Sequence, residues 1–172
     1  WEVVGGVVPT KYQAAVEKGI LQAMEKGIIS GHPAVGIRAV CYDGSHHPVD
    51  SSDMAFQVAA SKGFKIVARQ ANPVVLEPIC RLRVTVPEQY MGDVLGDLNA
   101  RRGRILGMES KGNKQVIEAM VPQGEIFEYS KVLRSLTQGR GTFEMEMDHY
   151  DRVPPDLQAK IVAAAGPQEE ED

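Results

Sequence analysis

Apolar positions along the chain switch between two periods, and the switches mark its elements. Tyr12, Ala15, Val16, Gly19, Ile20, Ala23 and Met24 recur at the spacing of one helical face, with Pro9 suited to the first turn and Gly27 stopping the run. After a Gly31-His32-Pro33 turn, Val35, Ile37, Ala39 and Cys41 alternate with Gly36, Arg38, Val40 and Tyr42, the period of a strand. Asp43-Gly44-Ser45 closes that strand and His46-His47-Pro48-Val49 forms a loop. Asp50-Ser51-Ser52-Asp53 offers capping oxygens and a first-turn acid to a second helix. Its pattern predicts Ala55, Val58, Ala59, Gly63 and Ile66 inward and an end before Asn72-Pro73.

From Pro73 the pattern changes. Cys80, Leu82, Val84 and Val86 alternate with Arg81, Arg83 and Thr85 as a strand, and Pro87-Glu88 opens a helix carrying Met91, Val94, Leu95 and Leu98 that closes at Arg102-Gly103. Arg104–Glu109 and Gln115–Val121 read as strands around a Ser110-Lys111-Gly112-Asn113 turn. A helix is predicted over about 124–137 with Phe127, Ser130, Leu133 and Leu136 on one side, broken by Gly139-Arg140-Gly141. A last strand points Phe143, Met145 and Met147 in and Glu144, Glu146 and Asp148 out, and a short helix with Leu157, Ile161 and Ala164 follows Pro154-Pro155.

The second half therefore reads β-α-β-β-α-β, the ferredoxin-like arrangement, and forms a complete small domain. The first half reads α-β-α. One strand cannot make a sheet, so further strands are expected before Trp1, where the chain starts without Met like a piece of something longer. The fold class is α+β.

Composition narrows the partners. At 43% hydrophobic and 24% charged residues the chain is ordinary for a globular protein, and no run approaches the roughly 20 apolar residues of a membrane span. Its first residues do not read as a basic-then-apolar signal segment. Cys41 and Cys80 lack a CxxC spacing and read as two reduced, buried thiols of a cytosolic protein. The net charge of −4 argues against a nucleic-acid coat, but it is uneven: Glu169, Glu170, Glu171 and Asp172 supply four negatives in a polar tail expected to be disordered. Arg101, Arg102 and Arg104 form a basic knot, whereas Glu144, Glu146 and Asp148 form an acidic edge.

Catalytic chemistry is hard to find. No G-x-x-x-x-G-K-[ST] phosphate loop is present, and Asn113-Lys114-Gln115 is followed by Val116, without the carboxylate of a guanine-reading motif. His46 and His47 with Asp43 and Asp50 lack further ligands at metal-site spacing, and a pairing of His47 with Ser45 or Ser51 lacks an orienting frame. The Arg101-Arg102-Gly103-Arg104 knot serves equally well as a charge on a helix end or as a phosphate clamp, and Gln138-Gly139-Arg140-Gly141 carries the same ambiguity.

Several strings resemble the elongation factor G family in order and almost without gaps from about Val4 to Pro154. Val4-Gly5-Gly6-Val7-Val8-Pro9 with the Tyr12 helix is similar to the start of the family's long domain IV helix. Asp43 to Phe56 resembles the domain IV tip loop and following helix, and Pro73 to Ile79 the junction into domain V. Tyr90 to Gly103 and Leu133 to Gly141 resemble the two helices of domain V.

The resemblance implies an organisation: a truncated domain IV over 1–75 with tip loop 43–50, a ferredoxin-like domain V over 76–152, and a C-terminal helix and acidic tail over 153–172. It implies that the first part is a partial βαβ unit related to a ribosomal-protein fold, its opening strands missing. It implies a cytoplasmic, monomeric, ribosome-contacting fragment of a translational GTPase that moves tRNA and mRNA, with no cofactor of its own and GTP and Mg in the parent. Gly44, Ser45, His46, His47 and Pro48 fall on the tip facing tRNA and small-subunit RNA, with His47 at the family's tip histidine. His46 stands where the family often has an aromatic and Pro48 where it often has an acid. Arg101, Arg102, Arg104 and Arg140 are candidates for large-subunit rRNA. Two alternatives stand beside this: a paralogue for ribosome recycling or ribosomal protection, and, remotely, a stand-alone metal-dependent hydrolase on His46, His47 and Asp50.

Overall fold

A computed structural model describes residues 1–166; the acidic tail lies outside the described residues. The chain divides into two compact units, one of Trp1–Val75 with the segment from Pro154 onward, the other Leu76–Val153.

In the first unit a 3-10 turn, Thr10–Tyr12, leads into α1, Gln13–Lys26, which ends at Gly27. Ala15, Val16, Gly19 and Ala23 are buried, the face that the 3.6-residue period predicts. Helix α2, Asp53–Gln70, starts at Ser52, whose side chain accepts the Ala55 N–H, with Asp53 in the positive first turn. The two helices touch closely at Gly19: a Cβ there would lie 2.1 Å from the Gln57 carbonyl oxygen.

Two expectations fail in this unit. Residues 34–42 are extended but join no sheet among the described residues; Ala34 N–H donates to the Met24 carbonyl and the Cys41 carbonyl accepts the Glu2 N–H, each at 2.8 Å. Alternation gives a side-chain period, but a strand also needs a hydrogen-bonding neighbour, and none is present in the described unit. Val35, Ile37 and Val40 are consequently exposed, and Cys41 is half-buried rather than buried. Helix α2 is also rotated from the predicted face. Ala55, Val58, Ala59, Gly63 and Ile66 are exposed, while Phe56, Gln57, Ala60, Phe64 and Ala68 are covered wholly or in part. The sequence offers two apolar stripes on α2, and α1 covers the narrower one.

The second unit is a four-stranded antiparallel sheet of order β2-β3-β1-β4, built from β1 (Leu76–Pro87), β2 (Arg104–Lys111), β3 (Lys114–Pro122) and β4 (Thr142–Arg152). With α3 (Met91–Ala100) after β1 and α4 (Tyr129–Leu136) after β3, this is the ferredoxin-like order. Cys80, Leu82, Val84 and Val86 of β1 pack with Ile117, Ala119 and Val121 of β3 beneath Val94, Leu98, Tyr129 and Leu133 of the helices. The final helix, α5 (Pro155–Ala165), belongs to the first unit; it has Pro at its first position, and Gln158 Oε1 accepts the Val75 N–H at 2.9 Å.

The helix expected over 124–137 is two pieces. A 3-10 turn, Gln123–Ile126, stops at Phe127, and Glu128 takes a left-handed conformation before α4 begins. The break resets the phase: Ile126, Tyr129 and Leu133 go in, and Phe127 is 82% exposed. On β4, Phe143 meets the Tyr129 ring edge-on at 5.2 Å, but Met145 and Met147 are about half exposed, on an edge strand with no neighbour on its outer side among the described residues. The other face of the sheet is a charge ladder. Arg83 donates to Glu118 through Nη2 at 2.5 Å and Nε at 3.0 Å, and Asp148 Oδ1 takes Arg81 at 3.4 Å while its Oδ2 meets His149 at 2.7 Å.

Three expectations follow. Thr137 is fully buried, donating to the Leu133 carbonyl at 2.7 Å and accepting the Gly141 N–H at 2.8 Å; Thr137→Val should cost about 1–2 kcal/mol by denaturant unfolding. The buried Tyr129 hydroxyl has no partner among the described residues, so Tyr129→Phe should leave the unfolding midpoint unchanged or raise it. Hydrogen bonding to Arg83, with its charge, lowers the Glu118 carboxyl pKa. Such a group stabilises above its unfolded pKa, and the effect is lost as pH falls through the folded one. The melting temperatures of Glu118→Gln and wild type should therefore differ at neutral pH and converge in acid; a constant gap would refute the linkage.

Candidate functional site

The loop 43–50 is tied down at both ends by residues that flank it. Gly44 N–H donates to Asp43 Oδ1 at 2.8 Å, and a Cβ on Gly44 would meet Val8 Cγ2 at 2.6 Å, so the loop lies against the segment before α1 and a larger residue there would have to displace Val8. His46 Nδ1 lies 3.0 Å from the Val7 carbonyl on the same segment. Ser51 holds the other end: its Oγ accepts the His47 N–H at 2.8 Å and its N–H donates to the His47 carbonyl at 3.2 Å. The Ser51 carbonyl accepts from the Tyr12 hydroxyl at 3.2 Å, and the Tyr12 ring stacks on Phe56 at 4.3 Å. Sequence pattern marks Tyr12 only as a helix-face residue and Ser51 only as a cap; neither signals an anchor for the loop.

His47 is the exposed head of this arrangement. Its Nδ1 receives the Val49 and Asp50 N–H groups, each at 3.3 Å, which favours the tautomer with its proton on Nε2. Asp50 Oδ2 lies 3.1 Å from the same Nδ1, so a protonated ring donates there instead. In both states Nε2–H is a donor, with no hydrogen-bond partner among the described residues. Ser45 and Pro48 are exposed on the same loop. The structure thus leaves Gly44, Ser45, His46, His47 and Pro48 in one exposed stretch with the outward Nε2–H of His47 at its head. No group of three or more His, Cys, Asp and Glu residues that could hold a metal ion occurs among the described residues.

The arginine candidates fare differently. Arg101 donates to Asp97 Oδ2 at 2.8 Å and to the Glu125 carbonyl at 2.5 Å, over the Tyr129 ring at 5.5 Å. Arg102, at φ 60°, places both terminal nitrogens on the Glu77 carboxylate and one near Glu125 at 3.5 Å. The hydrogen bonds to Asp97 and Glu77 raise the pKa of the two guanidinium groups. Arg140 bonds the Tyr90 hydroxyl, with its guanidinium 5.0 Å from that ring's centre. Arg104 is exposed, with no such contact among the described residues. The knot is therefore mostly internal: Arg101 and Arg102 fasten the end of α3 to β1 and to the turn before α4, and only Arg104 presents an uncommitted charge.

Comparison with known proteins places this geometry. The model of elongation factor G domain IV matches residues 1–72 and that of the elongation factor G C-terminus residues 74–161. Elongation factor G of Aquifex pyrophilus is 55% identical over 161 residues, covering 94% of this chain and 23% of the relative. A crystal structure of a Thermus thermophilus protein matches with a TM-score of 0.83 at 51% identity, over 98% of this chain and 26% of that one. The chain spans about a quarter of the length of these relatives. Two adjacent family models, matched in order over nearly all the described residues, establish that the chain belongs to the elongation factor G family and carries its domain IV and C-terminal regions.

Proposed function

We propose that this chain is the ribosome-contacting part of a translation factor that moves tRNA and mRNA during elongation. Matches to two consecutive elongation factor G regions carry the reading. In it, the loop Gly44–Pro48 faces tRNA and small-subunit RNA, and the outward His47 Nε2–H donates to a phosphate, ribose or base-edge acceptor. Arg104 contacts large-subunit RNA, while Arg101, Arg102 and Arg140 hold the surface behind it in shape. The chain acts as a monomer in the cytoplasm without a cofactor of its own. GTP hydrolysis, with Mg, belongs to the longer parent. No helix among the described residues is long and apolar enough to cross a membrane.

The purified chain should bind bacterial ribosomes, more weakly as salt rises, and should hydrolyse no GTP. Absence of ribosome binding at low salt, or measurable turnover of GTP, would sink the reading. Within the parent, His47→Ala should lower the translocation rate roughly tenfold, in line with the 1–3 kcal/mol of a lost base contact, while the melting temperature stays put. An equal loss from Val49→Ala would show that loop shape, not the imidazole, matters.

A further inference from the structure

Helix α2 has three sides, and one of them carries a single sign of charge. Gln57, Ala60, Phe64 and Ala68 turn towards α1, and Ala55, Ala59 and Ile66 form an exposed apolar side. Between these, Lys62, Lys65 and Arg69 fall within an arc of about 60°. The only carboxylate on α2 is Asp53, in its first turn, so the helix has three cations against one acid in a chain of net charge −4. The solvent side of α1 is different: Glu17 adjoins Lys18 and Glu25 adjoins Lys26, the balanced signs of an ordinary wet surface. Arg69 sits in the last turn, where the helix dipole favours it, but Lys62 and Lys65 lie too far from the end for that. Neither lysine has an ion pair among the described residues.

We propose that the Lys62–Lys65–Arg69 stripe is a second nucleic-acid contact, gripping a ribosomal RNA backbone through its phosphates. It rests on the ribosome-binding reading and extends it from the loop to the helix behind. The stripe covers about 10 Å of helix at 1.5 Å per residue, the length of a few successive phosphates. Flexible ammonium groups bind phosphate as point charges without a shaped pocket. Such a contact adds affinity and position but no sequence reading.

The test compares ribosome affinity from 0.1 to 0.3 M salt for the wild-type chain, Lys62→Gln/Lys65→Gln, and Lys18→Gln/Lys160→Gln as a control of equal charge change. Two lost phosphate contacts should make the logarithmic salt slope shallower by about 1.5, so that the wild type loses about five-fold more affinity over this range than the α2 variant. The control should keep the wild-type slope. A crosslinker on Lys62→Cys, in a Cys41→Ser background with Cys80 buried, should attach to ribosomal RNA. Wild-type binding with an unchanged slope in the α2 variant, an equal change in the control, or crosslinks to ribosomal protein alone would overturn the stripe while leaving the ribosome reading intact. Failure of the wild type to bind would overturn both.

Discussion

Strand β1 carries the second unit because both of its edges and one of its faces are occupied. It pairs with β3 from Ile79 to Pro87 and with β4 from Leu76 to Thr85, so nearly every backbone group along it has a neighbour. Cys80, Leu82, Val84 and Val86 are almost wholly buried on the helix side. The opposite side cannot be apolar, because no layer covers it; Arg81 and Arg83 stand there and recruit Asp148 and Glu118. Surface pairs of this kind contribute little individually, but they fix which side chains stand opposite one another. The register slip between Ile79 and Cys80 bends the β4 edge where Asp148 and His149 meet.

The contrast with residues 34–42 shows what a side-chain pattern does and does not contain. Both segments alternate with period two. One becomes the centre of a sheet and the other an unpaired extended stretch, since alternation says which way side chains point and nothing about where a hydrogen-bonding partner comes from. The same limit explains α2. Its composition supports more than one apolar stripe, and the choice was made by Gly19, which lets α1 approach at Gln57. The break at Phe127-Glu128 was illegible for another reason: a non-glycine residue in the left-handed region has no strong sequence signal, and it shifts every later position around the helix axis.

Elements with one strong period and clear caps were legible: α1, α3, the core side of β1 and β3, and the Ser52 start of α2. The loop 43–50 was legible through its strings of residues, but the means of holding it was not, because Tyr12, Ser51 and Phe56 lie up to 44 positions apart and meet only in the fold. For the arginines the sequence left two uses open. Geometry separates them residue by residue: a guanidinium with two carboxylate or carbonyl acceptors already in place is part of the scaffold, and phosphate would have to displace them.

Ser51 has a mechanical consequence. Its side chain, amide and carbonyl each take a separate bond, two back to His47 and one to Tyr12. The loop therefore has little slack of its own. A force applied at His47 passes through Ser51 to the stacked pair of Tyr12 and Phe56, and so to the starts of both helices at once. The loop is built less as a flexible finger than as the end of a short lever whose arm is the helix pair.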